Sequence, residues 1–170
     1  LLVISRMILK TMESVSKPAL AGLWPSKKGV SVVLDLGANV ECDEKNLVDF
    51  SELGAALYKS IVPAGTPNVA LLNIGSEEIK GTEIIKNTYS KLKKISHYGD
   101  FNFNGYIEGN KLMNGDSNVI VTDGFTGNVA LKTAEGTAKF ITDSLKESLS
   151  ENIFSKISII FSYFSLKKFK

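Results

Sequence analysis

Three short apolar runs in this sequence each lead into a turn that contains glycine, and each is followed by a segment with helical periodicity. The runs are residues 30–36, 68–74 and 118–122. Short, nearly continuous runs rich in β-branched residues are typical of strands that are buried on both faces. Because repeated strand–helix units build a parallel sheet with right-handed crossovers, the sequence predicts a doubly wound α/β fold, with a mostly parallel sheet and helices on both faces.

The segments after the first and third runs predict two of the helices. Apolar residues recur at helical spacing between residues 47 and 61, ahead of Pro63, and Asp43 stands where an N-cap residue is expected. A comparable apolar stripe extends from Ala134 to Leu149. Both segments are therefore expected to pack an apolar face against the sheet.

The segment after the second run predicts a further helix, with its apolar stripe between Ile79 and Ile95. The predicted helix has Glu77 and Glu78 in its first turn, where their negative charge complements the positive end of the helix dipole. A phosphate group would be repelled from that turn.

The remaining segments complete the predicted organisation. Residues 101–107 predict an edge or mixed strand, and residues 18–29 predict a loop. Residues 1–15 predict an amphipathic helix entered partway through a larger chain, and residues 153–170 predict an amphipathic helix with a basic end. We therefore divide the chain into an α/β domain that is incomplete at both ends, residues 1–150, and a terminal helix, residues 151–170.

Charge balance and the scarcity of metal-binding side chains limit the classes of function. Twenty basic and eighteen acidic side chains give a formal net charge of +2, which is too even for nucleic-acid binding. With only Cys42 and His97, neither an internal disulfide nor a Cys/His metal site is expected. Cys42 also lies among acids that raise a thiol pKa, and His97 lies in a lysine-rich connection. We predict no metal, no cofactor and a cytoplasmic location.

The three glycine-containing turns are the candidate ligand-binding segments. Ligands of parallel α/β sheets bind beyond the carboxyl ends of the strands, where helix N-termini point at them. The third turn has no acid between Gly124 and Lys132, and it offers Thr126 and Asn128 as hydrogen-bond donors. It is therefore the first choice for an anion, although a glycine turn after a strand is most often just a connection.

Two acids, Asp35 and Asp123, stand at the ends of predicted strands. An acid at this position either orients a binding site or caps the helix that follows. No Ser/His/Asp or paired-carboxylate arrangement accompanies them that would assign them to catalysis. The residues alone therefore leave both roles open.

Three segments, taken in order, resemble the signature segments of the PlsX family of phosphate:acyl-carrier-protein acyltransferases. They read LDLGANV at residues 34–40, LLNIGSEEIKG at residues 71–81 and DGFTGNVALKTAEG at residues 123–136. A fourth segment, GYIEG at residues 105–109, lies between the last two. Each motif is weak by itself, but their shared order and spacing make the resemblance specific over residues 18–149.

The resemblance implies a fold like that of phosphotransacetylase and a homodimeric enzyme. Its implied reaction transfers a long acyl chain from acyl carrier protein to inorganic phosphate, which yields acyl phosphate for phospholipid synthesis by a membrane glycerol-3-phosphate acyltransferase. Because phosphate is itself the nucleophile, positioning and oxyanion stabilisation matter more than a covalent residue. The implied catalytic residues are Asp35, Asn39, Asn73 and Lys132, and the implied phosphate-binding residues are Gly37, Gly75, Asp123, Gly124, Thr126, Gly127 and Asn128.

This chain also departs from the family pattern. Family members are about twice as long, and their opening glycine-rich strand would precede Leu1, so an inactive remnant or one subunit of a split enzyme is an alternative. Lys17 stands where the family usually has arginine, which puts a phosphate contact at that position in doubt. The helix predicted over residues 153–170 suits an anionic membrane surface, and a dimer or core helix explains it equally well.

Overall fold

The computed structural model describes residues 14–63, 65–96 and 98–150. The elements in chain order are β1 (Gly22–Ser26), β2 (Gly29–Leu34), α1 (Glu44–Ile61), β3 (Asn68–Leu72), α2 (Glu83–Ile95), β4 (Asn102–Ile107), a 3₁₀ turn (Gly109–Lys111), β5 (Val119–Val121) and α3 (Gly124–Ser150). The helices predicted for residues 1–15 and 153–170 lie outside the described residues or at their margin, and they stay predictions.

The five strands form one sheet in the order β1-β2-β5-β3-β4. Strand β1 pairs antiparallel with β2, and every other pairing is parallel. The last strand in sequence lies in the middle, where Ile120 is in register with Val33 on one side and with Ala70 on the other. The predicted α/β class with a mostly parallel sheet is confirmed.

Strand β1 occupies part of the segment that the sequence predicts as a loop, so that prediction is wrong. The chain turns tightly between Ser26 and Gly29, which has a φ of 122° that favours glycine. Pro25 argues locally against a strand, because proline cannot donate a backbone hydrogen bond to a neighbouring strand. Proline is nevertheless compatible with an edge strand such as β1. Trp24 is buried and anchors β1 to the rest of the molecule.

Helix α1 covers one face of the sheet and begins where the sequence predicts. The Asp43 side chain accepts a hydrogen bond from the Asn46 backbone amide at 2.8 Å, and the Asn46 side chain accepts one from the Asp43 amide at 3.1 Å. This capping box satisfies two amides at the helix start. Leu47 and Phe50 then fill the core against β2, β5 and β3, and α2 packs beside α1 on the same face.

Helix α2 begins at Glu83, later than the sequence predicts, with Thr82 as its N-cap. The Thr82 hydroxyl accepts a hydrogen bond from the Ile85 amide at 3.3 Å. Glu77 and Glu78 therefore lie in the loop before the helix, and the prediction that they occupy its first turn is wrong. The reason is Gly81, whose φ of 96° breaks the chain direction just ahead of the cap.

The chain divides into two compact units, with the boundary between Ala130 and Leu131. Helix α3 contributes its first turns to the first unit, which also holds the sheet. In the second unit, the apolar side chains of Phe140, Ile141 and Leu145 are exposed. No helix among the described residues combines the length and the apolar character that crossing a membrane requires.

Candidate functional site

The segments that follow β2, β5 and β3 come together at one edge of the sheet, because these three parallel strands are neighbours. The Asp35 amide donates to the Thr122 carbonyl at 3.0 Å, and the Gly124 amide donates to the Asn39 carbonyl at 2.7 Å. The Asn128 side-chain amide donates to the Leu36 carbonyl at 3.2 Å. The first and third predicted turns therefore form one hydrogen-bonded structure.

Asp35 lies at the centre of this structure and is fully buried. Its carboxylate accepts five hydrogen bonds: Oδ1 from the amides of Leu20 (3.0 Å), Gly37 (3.1 Å) and Ala38 (2.9 Å), and Oδ2 from the amide and side chain of Asn39 (2.8 and 2.7 Å). A carboxylate offers about four lone-pair sites, so the acceptor capacity of Asp35 is used within the protein. Asp35 shapes the turn and has no surface to offer a ligand.

Two glycines of the third turn allow the backbones to approach this closely. A Cβ atom on Gly127 would lie 1.9 Å from the Asp35 carbonyl oxygen, and one on Gly124 would lie 2.5 Å from the Asn39 carbonyl oxygen. The Asn39 carbonyl oxygen is held by the Gly124 amide, and the Asp35 amide is held by the Thr122 carbonyl, so both backbone segments are fixed. Close approach is therefore the reason for glycine at both positions.

Asp123 adopts the capping role, one of the two that the sequence left open. Its carboxylate accepts from the Thr126 amide at 2.8 Å and from the Thr126 hydroxyl at 2.9 Å. This arrangement caps α3 and places a negative charge at its N-terminus. Both Thr126 donors, which the sequence offered for an anion, are used inside the turn.

Asn73 closes the loop that follows β3. Its side-chain amide donates to the Lys80 carbonyl at 3.0 Å, and its backbone amide donates to the Ile107 carbonyl at 2.9 Å. Gly75 is buried inside this loop, whereas Ile74 projects from it with 80% of its surface exposed. Asn73 thus shares the sheet edge with Asp35 without being hydrogen-bonded to it.

Lys132 belongs to the second unit, beyond the boundary at Ala130. Its ammonium group lies 2.8 Å from a Glu135 carboxylate oxygen, and both side chains are more than half exposed. The role assigned to Lys132 by the resemblance stays a prediction, as do the roles of the other predicted site residues.

A groove of about 750 Å³ opens at this edge of the sheet, within the first unit. The N-cap residues of all three helices line it, namely Asp43, Thr82 and Asp123. The rest of its lining comprises Lys17, Val40, Glu41, Cys42, Leu47, Ile84, Ile85, Phe125 and Thr126. Helix N-termini carry partial positive charge, so their convergence is suited to an anion. The sequence did not indicate Thr82 as an N-cap residue, because the apolar stripe predicts an earlier start for α2.

Cys42 forms part of the groove wall, but its thiol is buried. Burial is the main reason that its pKa rises to about 11, and nearby acids add to the effect against the opposing influences of Gly124 and Lys17. At neutral pH the thiol is therefore protonated and a poor nucleophile. Among the described residues, no cluster of three His, Cys, Asp or Glu side chains is arranged to hold a metal ion.

Comparisons of the sequence with known proteins show which family it matches. The family model described as "fatty acid synthesis protein" matches residues 1–170. A phosphate acyltransferase of Pelagibacter ubique is 63% identical over 170 residues, which are all of this chain and 51% of that protein. A phosphate acyltransferase of Albidiferax ferrireducens is 46% identical over 164 residues, which are 96% of this chain and 47% of that protein. The chain thus spans about half the length of the curated relatives that it matches.

A solved structure resembles the fold. The EutD phosphotransacetylase from Staphylococcus aureus superposes with a TM-score of 0.62 over 79% of this chain and 46% of that protein, at 16% sequence identity. At this identity the similarity concerns the fold alone, and it agrees with the predicted phosphotransacetylase-like architecture.

Proposed function

Because the chain belongs to the fatty acid synthesis protein family, we propose that it forms part of a phosphate acyltransferase. This enzyme transfers a fatty acyl group from acyl carrier protein to inorganic phosphate, and the acyl phosphate serves phospholipid synthesis. The observation that carries the proposal is the groove at which the N-termini of α1, α2 and α3 meet. Anion binding at helix N-termini is the property that a phosphate-dependent transferase needs.

The proposed reaction requires no covalent intermediate on the protein. An oxygen of hydrogen phosphate attacks the thioester carbonyl carbon, and a C–O bond forms. The C–S bond breaks, and the sulfur of the carrier takes up the proton that hydrogen phosphate loses and leaves as the thiol. Negative charge develops on the carbonyl oxygen, so fixed hydrogen-bond donors and helix dipoles lower the barrier. The protonated Cys42 and the absence of a triad among the described residues are compatible with this chemistry.

In this proposal the predicted site residues divide by role. The turn of residues 124–128, helped by Lys132, holds phosphate or the thioester oxygen, and Asn73 lines the same cleft. Asp35 and Asn39 act by fixing the turn after β2, which is supported by the five hydrogen bonds to the Asp35 carboxylate. Preorganisation of this kind lets donors stabilise developing charge without reorganising.

The test is phosphate-dependent formation of acyl phosphate from an acyl carrier protein thioester. The chain is assayed alone and then mixed with a second chain that supplies the rest of a full-length relative, with circular dichroism showing that both are folded. We expect product in the mixture, which identifies a split enzyme, and product from the chain alone would mean that its own residues suffice. No product from folded chains in either assay contradicts the proposal and favours a catalytically inactive remnant.

The assembly that we propose is a cytoplasmic homodimer that also touches the membrane surface through residues 153–170. Exposed apolar side chains on α3, with Phe140 at 71% exposure, support a protein contact in the second unit. The membrane contact would deliver acyl phosphate to a membrane glycerol-3-phosphate acyltransferase. Sedimentation velocity tests the dimer, and flotation with anionic vesicles tests the membrane contact; a monomer that stays with the soluble fraction contradicts both.

A further inference from the structure

We propose that Lys17 is the cation that binds phosphate in the groove at the sheet edge. The inference rests on the proposed function, and it names the side chain that holds the attacking substrate. Among the described residues, Lys17 is the one cationic side chain that lines this groove. The resemblance puts a phosphate contact at Lys17 in doubt because the family usually has arginine there; both side chains carry a positive charge, which is the property that phosphate recognises.

A hydrogen bond holds Lys17 in position, and its ammonium group has further donors that no described residue uses. Nζ donates to the Glu41 backbone carbonyl at 3.1 Å, while the stem is partly buried. An ammonium group has three N–H donors, so two have no partner among the described residues. No carboxylate of the described residues forms an ion pair with Lys17, in contrast to Lys132, which pairs with Glu135.

The charges around the groove make one part of it more favourable for an anion than the rest. The N-termini of α1 and α3 are capped by the carboxylates of Asp43 and Asp123, which offset the partial positive charge of those helices. The N-terminus of α2 is capped by the neutral side chain of Thr82, and the acid in its first turn, Glu83, is paired with Lys86 at 3.0 Å. Lys17 shares the groove with that cap, so a phosphate is best accommodated between them.

The turn of residues 124–128 is a weaker candidate for the main anion contact. Both donors of Thr126 are used by Asp123, and one of the two side-chain donors of Asn128 is used by the Leu36 carbonyl. Because Asp123, Asp43 and Glu41 all line the groove, removing Lys17 would leave only acids among the charged side chains that line it in the described part of the chain. We therefore expect Lys17 to have a large effect on phosphate affinity.

The test is isothermal titration calorimetry of the 170-residue chain with inorganic phosphate. We expect Lys17→Ala and Lys17→Met to weaken binding at least about tenfold, and Lys17→Arg to bind within about threefold of the original chain. Lys28→Ala is the matched control, because Lys28 pairs with Asp116 at an exposed position and does not line the groove, and it should leave the affinity unchanged. Thermal melting by circular dichroism shows whether each variant is folded, and the methionine variant keeps the apolar stem if the alanine variant does not fold.

Equal phosphate affinity for the original chain and Lys17→Met would overturn the inference, as would a loss of affinity in Lys28→Ala as large as that in Lys17→Met. The mixed-chain assay separates this outcome from failure of the proposed function. We expect Lys17→Met to raise KM for phosphate and to leave KM for the thioester unchanged; a rise in KM for the thioester alone contradicts the phosphate assignment.

If phosphate does not bind the original chain while the mixture still produces acyl phosphate, the role of Lys17 is wrong and the proposed function stands. If Lys17 variants lose phosphate binding but no acyl phosphate ever forms, the anion site stands and the proposed function is wrong.

Discussion

Two segments at the same edge of the sheet look alike in sequence and differ in structure. We call residues 35–39 the β2 turn and residues 73–82 the β3 loop. The β2 turn begins Asp-Leu-Gly and the β3 loop begins Asn-Ile-Gly, so each has a polar residue, an aliphatic residue and a glycine. The Asp35 carboxylate accepts five hydrogen bonds, whereas the Asn73 side chain donates one to the Lys80 carbonyl.

The aliphatic residues show the same contrast. Leu36 is 4% exposed and Ile74 is 80% exposed. The β2 turn is enclosed by the segment around Leu20 on one side and by the start of α3 on the other, and both donate hydrogen bonds to it. The comparison teaches that the neighbours of a glycine motif, and not the motif itself, decide whether the segment is rigid. We infer that the β2 turn is the rigid segment at this edge of the sheet and the β3 loop the adjustable one.

The largest effect is expected from Gly127→Ala, which tests how tightly the β2 turn is enclosed. The new Cβ would lie 1.9 Å from the Asp35 carbonyl oxygen, so the backbones must separate. We expect a loss of about 3 kcal/mol or more in the free energy of unfolding, measured by urea denaturation. Gly136→Ala in the same helix is the control: its Cβ meets nothing within 4 Å, and it should slightly stabilise the helix. An equal change in the free energy of unfolding for the two substitutions would show that the start of α3 is not packed closely against the β2 turn.

The next largest effect is expected from Asp35→Asn, which keeps the shape of the side chain and replaces one acceptor oxygen with a donor. The amide would then face N–H groups that have no other acceptor, at a cost of about 2–3 kcal/mol in the free energy of unfolding. Asp116→Asn removes a carboxylate from an exposed pair with Lys28 and should change the free energy of unfolding little. If Asp35→Asn is as mild as Asp116→Asn, the β2 turn does not depend on its carboxylate.

A smaller effect concerns the Cys42 thiol, which lies 3.7 Å from the Asn39 carbonyl oxygen of the β2 turn. Because burial raises its pKa in the folded protein to about 11 from 9.0, its contribution to stability is complete below pH 9 and is lost as the pH rises through about 11. Between pH 8 and pH 10, the chain should therefore lose roughly 1 kcal/mol more stability than Cys42→Ala does. Denaturation at the two pH values measures this difference, and parallel losses in both proteins would mean that the thiol is accessible to solvent.

The smallest effect is expected from Asn73→Ala in the β3 loop. It removes one hydrogen bond to the Lys80 carbonyl, which lies at an exposed position. We expect a loss of about 1 kcal/mol or less, together with faster hydrogen exchange of amides in residues 74–81. A loss as large as that of Asp35→Asn would remove the distinction between the two segments.

Sequence patterns predicted the features of this fold that depend on neighbours close in the chain. The Asp43 cap was predicted because its partner, Asn46, lies three residues away. The start of α2 was wrong by several residues because a continuous apolar stripe hides the break at Gly81. Strand β1 was missed because its pairing with β2 is a tertiary contact and Pro25 argues locally against a strand.

The candidate site divides in the same way. The polar residues at the strand ends could be identified from the sequence, because the carboxyl ends of parallel strands are where ligands bind. The hydrogen-bond partners of these residues could not be identified from the sequence. The Leu20 amide is distant in sequence from Asp35, and Asn128 is more distant still from Leu36. The placement of Lys17 in the groove likewise depends on a contact with Glu41 that no local pattern indicates.

The central position of β5 has a consequence for how the chain acquires its structure. Before residues 119–121 are available, β1 with β2 and β3 with β4 are two separate strand pairs that share no backbone hydrogen bonds. During synthesis, the strand that joins them is the last of the five to leave the ribosome. Joining the pairs closes two long loops at once, and that entropy cost precedes most of the stabilising contacts. We therefore expect folding of the sheet to be slow, with the pairs exposed to aggregation until β5 inserts between them.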